Sequence, residues 1–452
     1  EQLSYGKRIN SAAVDAAGLT IATRMESNAR GLSMAIKNAG DAQSLIDTSE
    51  GAHQEVTNIL QRMRELAVQS ASDTNTATDR AALNDEVNQL VLEIDRIAAQ
   101  TTWGGMQLMD GTYQSKTFQL GSYANETVGV SIDSIASADL GSYTVDSLSH
   151  LMEGTDAADN AETRSATGLV ITGPTNAASI SFDAESSAKT VAAAVNAQSA
   201  TTGVSAAAKT NLVLDTLSHA GTVSFNLTGT GTSAISTSVA HNSDLTSIRD
   251  AVNAVAGTTG ITASMYQGDK GQLMFTSATG EDIKIDTFAS SGDAASSIKA
   301  YVTDFDGTKS ATTDTLTKGT GDDSVIVAGE VRFSSVGSFT VVDAGTSGAG
   351  TGYMAAGSTT ASQAAISAVN ISTLTGANSA ITTIDGALNK ISDARANLGA
   401  VSNRIDHTIS NLGNVLINTE ASKSRIQDAD FAKVTGDLTK SQIMSQAATA
   451  ML

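Results

Sequence analysis

Residues 83–97 read LNDEVNQLVLEIDRI, and this stretch decides the fold. Its apolar residues recur at alternating steps of four and three positions, and they are Leu83, Val87, Leu90, Ile94 and Ile97. That spacing places them in one stripe along an α-helix and is typical of a coiled-coil seam. Thr78 or Asp79 is a suitable N-cap, and Gly104-Gly105 is a suitable stop. The pattern predicts a helix that buries one face against other helices.

A second stripe of this kind lies near the other end of the chain. It begins at Ile381 and continues through Leu398, Val401, Ile405, Ile409 and Leu412. The only proline, Pro174, is internal, so neither end contains the strongest helix breaker. A helix over 378–420 would be about 65 Å long at about 1.5 Å per residue. Only the opposite chain end, with stripes at 21–46 and 56–70, could cover it. We expect an antiparallel bundle of both ends; two unrelated coiled coils are the alternative.

The composition fits such a bundle and excludes several classes of function. Of the 452 residues, 40% are hydrophobic but only 4% are aromatic, so the cores must use Ala, Val, Ile and Leu. A formal charge of −20 without a basic cluster argues against a nucleic-acid partner. The absence of cysteine excludes disulfides and thiolate metal sites. No apolar run approaches the roughly 18 residues of a membrane span, so we expect no membrane insertion.

The middle of the chain changes to β-type alternation near Gly111 and contains an internal repeat. Residues 194–206 read AVNAQSATTGVSA, and residues 251–263 read AVNAVAGTTGITA. The strand-like segment 179–182 precedes the first copy, and 222–225 precedes the second. Each unit is therefore expected to run strand, short helix, TTG turn, strand.

The expected fold class is α+β. It consists of a long antiparallel, coiled-coil-like α-helical bundle formed by both chain ends, with an inserted β-rich domain of tandem α+β modules. We assign residues 1–135 and 366–452 to the helical domain and residues 136–365 to the variable outer domain. The repeat modules are placed at about 165–218 and 219–290.

The sequence predicts no catalytic residue, no metal site and no cofactor. The five histidines have no partner at metal-ligand spacing, and they are His53, His150, His219, His241 and His407. Asp304-Phe305-Asp306-Gly307, backed by Asp322 and Asp323, resembles the start of a calcium loop. Its later ligands are missing, so a plain acidic turn is the better interpretation. We expect no enzyme activity.

Several long motifs resemble those of bacterial flagellins. The segment 8–18 resembles the family's RINSAxDDAAG stretch, with Val14 in place of its first Asp. The segments 60–71 and 84–96 match the family almost letter for letter, whereas Thr102-Trp103-Gly104-Gly105 departs from T-x-F-N-G. Segments 398–404, 424–431 and 442–447 match at the far end. The paired repeats look like the interior modules that some members carry.

This resemblance implies a secreted structural subunit of the flagellar filament that self-assembles through its terminal helices and serves motility. The implied partners are other flagellin subunits, the flagellar export apparatus with an export chaperone, and the filament cap. The family carries a further segment before Glu1 and another after Leu452, so we expect this chain to lack most of the innermost layer. It should then stay monomeric or weakly associating.

The resemblance also implies a partner-binding face for the flagellin-sensing Toll-like receptor, an innate immune receptor. The matching positions are Gln61, Arg62, Leu66 and Glu93. A solvated, ion-paired helix face would explain Arg62 and Glu93 equally well, and the same face could be buried against a neighbouring subunit.

Other classes of function remain open at this point. A hook–filament junction protein would share the end motifs more loosely. The outer β domain could make the chain a cell-surface adhesin or glycan-binding protein, with four tyrosines as the aromatics placed to help: Tyr143, Tyr266, Tyr301 and Tyr353. An enzyme inserted in the middle would be exposed by activity screening with and without a chelator.

Overall fold

The computed structural model describes residues 6–72, 74–148, 150–154, 168–183, 186–293, 296–319, 323–344, 353–354 and 358–450. Asp322 of the acidic turn and the side chain of His150 lie outside what is described. The chain divides into two compact units. The first comprises Glu1–Val56, Asp95–Ala136 and Ile391–Leu452, and the second comprises Thr57–Ile94 and Ser137–Lys390.

Long helices occupy both ends of the chain. The helices are α1 (Ala16–Ser70), α2 (Ala77–Gln100), α3 (Ala188–Ala197), α4 (Ser199–Thr202), α5 (Thr246–Ala254), α6 (Ala256–Thr259), α7 (Leu374–Gln427) and α8 (Phe431–Ala450). With 55 and 54 residues, α1 and α7 are each about 80 Å long at about 1.5 Å per residue. The stripes predicted at 21–46 and 56–70 lie in one continuous helix.

The middle of the chain is built from short strands. They are β1 (Thr102–Trp103), β2 (Met106–Gln107), β3 (Lys116–Gln119), β4 (Thr127–Val130), β5 (Gly141–Asp146), β6 (His150–Gly154), β7 (Gly168–Thr172), β8 (Ala177–Ser181), β9 (Ser205–Asp215), β10 (Gly221–Thr228), β11 (Thr232–Val239), β12 (Thr262–Met265), β13 (Gln272–Ser277), β14 (Ile283–Ser290), β15 (Ser297–Thr303), β16 (Lys309–Thr317), β17 (Ser324–Ala328), β18 (Glu330–Ser335), β19 (Thr340–Asp343), β20 (Ser358–Thr360) and β21 (Ser362–Ala365).

In the first unit, α1 and α7 run antiparallel. The closer a residue lies to the start of α1, the closer its partner lies to the end of α7. The polar pairs, in that order, are Glu50–Arg395 (2.7 Å), Gln43–Ser402 (2.7 Å) and Glu26–Lys423 (3.7 Å). Leu32 and Ala35 pack with Leu412 in one apolar cluster between the last two pairs. The predicted fold class, a bundle of both chain ends with an inserted β-rich domain, is confirmed.

Both ends of α2 differ from the prediction. The N-cap is Thr76, because the Thr76 N–H donates to Asp79 Oδ2 (2.9 Å) and the Asp79 N–H donates to Thr76 Oγ1 (3.3 Å). This reciprocal pair is a capping box, so Asp79 is the third residue of the helix. The helix ends at Gln100, before the predicted stop. Gly104 and Gly105, with φ of 57° and 83°, form the two-residue turn of the β1–β2 hairpin.

The strands form three larger sheets and two small hairpins. The five-stranded sheet has the order β11-β10-β14-β17-β6, and the four-stranded sheet has the order β20-β19-β7-β8. The eight-stranded sheet runs β12-β13-β9-β18-β5-β21, with β15 pairing both β9 and β16. The hairpins are β1-β2 and β3-β4. Every described pairing of these strands is antiparallel, so the sheets can be built from neighbouring hairpins.

Strand β9 connects two apolar cores. Its first half pairs with β18, and its second half pairs with β13 and β15. Ala206 and Ala208 pack against the smaller core, which also contains Val191 of α3. Leu212 and Leu214 belong to the larger core, on which α5 packs. One strand therefore supplies side chains to both repeat modules.

The two repeats are built alike after their first helix. Asn196 donates from Nδ2 to the Ala206 carbonyl and accepts from the Ala206 N–H, both at 2.8 Å. Asn253 makes the same two bonds with Ala263, at 2.9 and 2.8 Å. Each asparagine thereby joins the helix to the strand that follows the TTG turn.

The segment before the helix agrees with the prediction in the first module and differs from it in the second. Residues 179–181 lie in β8, directly before α3, whereas residues 222–225 lie in β10, and β11 stands between them and α5. Each module therefore begins with a two-stranded hairpin, β7–β8 or β10–β11. Each hairpin turn packs closely against the TTG turn of its module. A Cβ added at Gly173 would lie 1.9 Å from the Thr202 carbonyl oxygen, and a Cβ added at Gly229 would lie 2.4 Å from the Thr259 carbonyl oxygen. The domain boundaries given above stay predictions.

The inserted region begins and ends at one place in the second unit. The Ser367 N–H donates to the Ser137 carbonyl (3.0 Å), and the Ile366 N–H donates to the Leu140 carbonyl (2.9 Å). From there β21 pairs with β5, while the chain continues into α7. The polypeptide thus leaves the helices and returns to them through adjacent segments.

Candidate functional site

The predicted assembly seam is only partly covered within a single chain. Val87, Ile94, Leu398, Ile405 and Leu412 are buried. The intervening members are half-buried, and they are Leu83, Leu90, Ile97, Val401 and Ile409. The buried members recur every seven residues, as expected for the inner positions of a heptad stripe. The other half of the stripe remains available to further helices.

The end of the chain exposes large apolar side chains that the sequence interpretation did not single out. On α8, Phe431, Ile443 and Met444 are each at least 60% exposed, and Leu438 is also exposed. On the last part of α7, Val415 and Ile417 are exposed as well. Several large apolar side chains exposed on neighbouring turns are a feature of protein interfaces. The sequence contained one signal for this surface, because the segment 442–447 resembles a family motif.

The predicted receptor face is divided between surface and core. Gln61 and Arg62 are exposed and Glu93 is half-buried, but Leu66 is 1% exposed. The Arg62 guanidinium contacts Glu86 at 2.8 Å and Glu65 at 3.1 Å. The hydrogen bond that Arg62 donates to Glu86 is the main reason that the pKa of Arg62 is raised above its usual value. The surface therefore presents Gln61 and an ion-paired Arg62, while Leu66 packs inward.

One histidine lies inside the helical core. His53 is fully buried on α1, and its Nδ1 lies 2.8 Å from the Ser49 carbonyl oxygen. Burial lowers the pKa of the imidazole, and the charge of Arg395 acts in the same direction, against smaller opposing effects of the Ser49 hydrogen bond, Glu50 and Asp133. The native helical core thus favours a neutral ring.

The predicted acidic turn belongs to an internal ion-pair network. Arg332 binds both Asp146 oxygens at 2.6 Å and both Asp306 oxygens at 2.7 and 2.8 Å. The Asp304 Oδ1 accepts from the Thr308 N–H at 2.7 Å, as in an ordinary turn. Glu330 is buried nearby, and burial together with Asp146 and Asp304 raises its pKa to about 8. Asp306 is therefore neutralised by arginine rather than free to bind a cation.

The tyrosines do not form one aromatic platform. Tyr353 is fully buried, and its hydroxyl donates to the Ser186 carbonyl. Tyr266 and Tyr301 both lie beside Lys309, whose Nζ is 5.3 and 4.5 Å from the ring centroids. Lys309 also bonds Asp215 at 2.8 Å. These rings stabilise an internal lysine, so the tyrosines do not favour stacking on a sugar.

Metal and membrane features are not found in the part of the chain that the structure describes. Within it, no cluster of three or more His, Cys, Asp or Glu side chains is arranged to hold a metal ion. Among the described helices, none combines the length and the apolar character needed to cross a membrane.

Comparison with known proteins gives consistent matches over the whole chain. The bacterial flagellin N-terminal helical region matches residues 1–114, and the C-terminal helical region matches 381–452. The flagellin hook IN motif matches 168–218 and 222–279. The B-type flagellin of Pseudomonas aeruginosa is 38% identical, covering all of this chain and 91% of the relative. Flagellin B of Vibrio cholerae is 32% identical, covering all of this chain and 88% of the relative.

One solved structure matches over nearly its whole length, but its sequence identity is low and it superposes weakly. A FliC from Burkholderia pseudomallei is 20% identical, covers 80% of this chain and 99% of its own, and has a TM-score of 0.32. The relationship of this chain to known proteins therefore rests on the two sequence relatives, which cover all of it.

Proposed function

Because this chain belongs to the bacterial flagellin family, a family of structural, non-enzymatic subunits of the extracellular flagellar filament, we propose that it polymerises through both chain ends to serve motility. The observation that carries the proposal is the uncovered apolar surface of the terminal helices. Half of the seam is only partly buried, and α8 exposes Phe431, Ile443 and Met444. Neighbouring copies would remove this surface from water, at about 25 cal/mol per Å² of apolar area.

The first prediction tests this surface by changing α8 in the gene of the native bacterium. Ile443→Ser with Met444→Ser should abolish filaments and swimming, because it removes apolar contact area without disturbing a buried core. The measurements are electron microscopy of cell-surface filaments and swimming in soft agar. Ser236→Asp, on an exposed position of β11, is the matched control and should leave both unchanged. Normal filaments in the double variant, with secreted subunit at wild-type amount, would refute assembly through α8.

The remaining partners follow from the same family membership. The export apparatus with its chaperone and the filament cap are proposed partners during secretion and assembly. The innate immune receptor is proposed to bind the exposed helix face that carries Gln61 and Arg62, with Glu93 at its edge. Leu66 would then act by packing rather than by direct contact, because it is buried.

The second prediction separates contact from packing on this face. Arg62→Ala should weaken binding to the purified receptor ectodomain at least tenfold without lowering the melting temperature. Leu66→Ala should instead destabilise the helices by about 2–5 kcal/mol, as buried leucine truncations do. Surface plasmon resonance and circular dichroism measure the two effects. Arg249→Ala on α5 is the matched control, and equal binding by the Arg62 variant would contradict this placement of the face.

A further inference from the structure

A polar cavity of about 370 Å³ lies in the second unit, beside the first turns of α7. Its walls come from α7, the end of β18, the start of β5 and the first TTG turn, and the lining residues that carry the argument are Ser142, Ser334, Ser335, Thr382, Asp385 and Asn389. The volume is within the range of small-molecule sites, which begins at roughly 300 Å³.

The chemistry of the lining is nearly all hydroxyl and amide. No aromatic ring and no positively charged side chain is among the lining residues, and two valines are the only larger apolar ones. The single carboxylate, Asp385, is held by Arg64, which donates from Nε to Oδ1 at 2.6 Å. That pairing neutralises its charge but leaves oxygen lone pairs as acceptors. The cavity is thus poorly suited to anions, to cations and to large apolar ligands.

Some polar groups of the cavity are already used by the protein. The Ser335 hydroxyl donates to the Gly203 carbonyl at 2.7 Å, and the Ser334 and Ser205 hydroxyls share a bond at 3.0 Å. Their remaining lone pairs can accept from a ligand. Thr382 and Asn389 also line the cavity, and their hydroxyl and amide groups can both donate and accept.

An unsatisfied hydroxyl lies in the wall of the cavity. Ser142 is 2% exposed, and its Oγ has no hydrogen-bond partner among the described residues. The Ser142 Oγ is itself buried from solvent, so it forms part of the packing behind the wall and is not a contact point for a molecule in the cavity. The wall is tightly packed at this point, because a Cβ added at Gly386 of α7 would lie 2.5 Å from Cβ of Ser142.

We propose that this cavity binds a neutral pyranose sugar. A pyranose offers several hydroxyls that each donate and accept, which matches a wall of serine, threonine and asparagine side chains around one neutralised carboxylate. Binding would use the side chains of Thr382 and Asn389, which line the cavity. This function is additional to filament assembly, because none of the lining residues belongs to the assembly seam or to α8. A polar site without aromatic stacking should bind weakly, with a Kd of about 1 mM.

The test is ligand-observed NMR on the full chain with the methyl glycosides of glucose, galactose and mannose as probes. At least one should give saturation transfer, and glucuronate, the anionic comparator, should give much less. Thr382→Val and Asn389→Leu should each raise the Kd at least tenfold. Ser238→Leu, on an exposed position of β11 outside the cavity, should leave the Kd unchanged. Melting curves confirm that each variant is folded.

Three outcomes would overturn the proposal. One is the absence of transfer for every neutral sugar at about 20 mM, roughly twenty times the expected Kd. Another is equal binding of glucuronate, which would contradict a neutral ligand. The last is unchanged affinity in both folded cavity variants, which would place the sugar elsewhere.

Discussion

His53 is a titratable side chain at a position where its neighbours along the helix core are apolar. It lies on α1 among Ala52, Val56 and Leu60, which are all buried. Burial lowers the pKa of its ring, so the native core disfavours the charged form. The cost of charging it must therefore appear as a pH dependence of folding.

The third prediction concerns this residue. The unfolded chain takes up a proton near pH 6.5, whereas the native state does so only at lower pH. Stability should therefore fall as the pH decreases below about 6.5, until the native pKa is reached. His53→Leu should remove most of this slope in melting temperature between about pH 6.5 and pH 5. His407→Leu, at an exposed position of α7, is the control. If the slope of melting temperature against pH persists in the His53→Leu variant, other titratable groups cause it.

At the scale of elements, the two modules repeat the same join between a helix and the following strand. Asn196 and Asn253 each close two bonds to the backbone of that strand. The bonds of Asn253 are half-buried, whereas those of Asn196 are exposed. Water can replace the lost bonds at an exposed site but not at a buried one.

The fourth prediction compares these twin residues. Asn253→Ala should lower the free energy of unfolding by about 1–3 kcal/mol, because it leaves the Ala263 N–H and carbonyl without partners. Asn196→Ala should lower the free energy of unfolding by less, because water can replace its bonds at an exposed site. Denaturant unfolding measures both, and Ser236→Ala is the neutral control. Equal costs at the two positions would show that burial does not govern this join.

The helical elements were predictable because their signal is local. The steps of three and four from Leu83 to Ile97 and from Leu398 to Leu412 specify a stripe without knowledge of the partner. Three neighbouring residues, Thr76, Thr78 and Asp79, are all of capping type, and only the reciprocal bonds distinguish Thr76. The hairpin before α5 was missed because alternation identifies a strand but not the strand it pairs with.

The candidate site was predictable to a smaller degree. Arg62 was placed on an exposed face, but its partner Glu86 depends on the register of α2 against α1, which tertiary packing sets. The burial of Leu66 depends on the same packing. The cavity beside α7 combines side chains from positions 142 to 389, and no local pattern brings such distant residues together.

At the scale of the whole molecule, residues far apart in the sequence are joined within the first unit. Arg395 bonds Glu50 at 2.8 Å across a sequence separation of 345 residues. The fifth prediction is that Glu50→Arg and Arg395→Glu each cost about 1 kcal/mol, and that the double exchange restores most of the loss. Denaturant unfolding measures the cycle. The same exchange of Arg249 and Asp250, a surface pair within α5, should change little. Additive losses in the double variant would contradict the antiparallel register.

Strand β9 has a mechanical consequence. Because its two halves are paired to different neighbours, a pull on one module is passed to the other along a single covalent backbone. The antiparallel bonds to β18 and β13 lie perpendicular to that strand, so force along it loads many of them at once instead of peeling them singly. Hydrodynamic drag on a rotating filament would thus be distributed over both modules, and neither would unfold before the other.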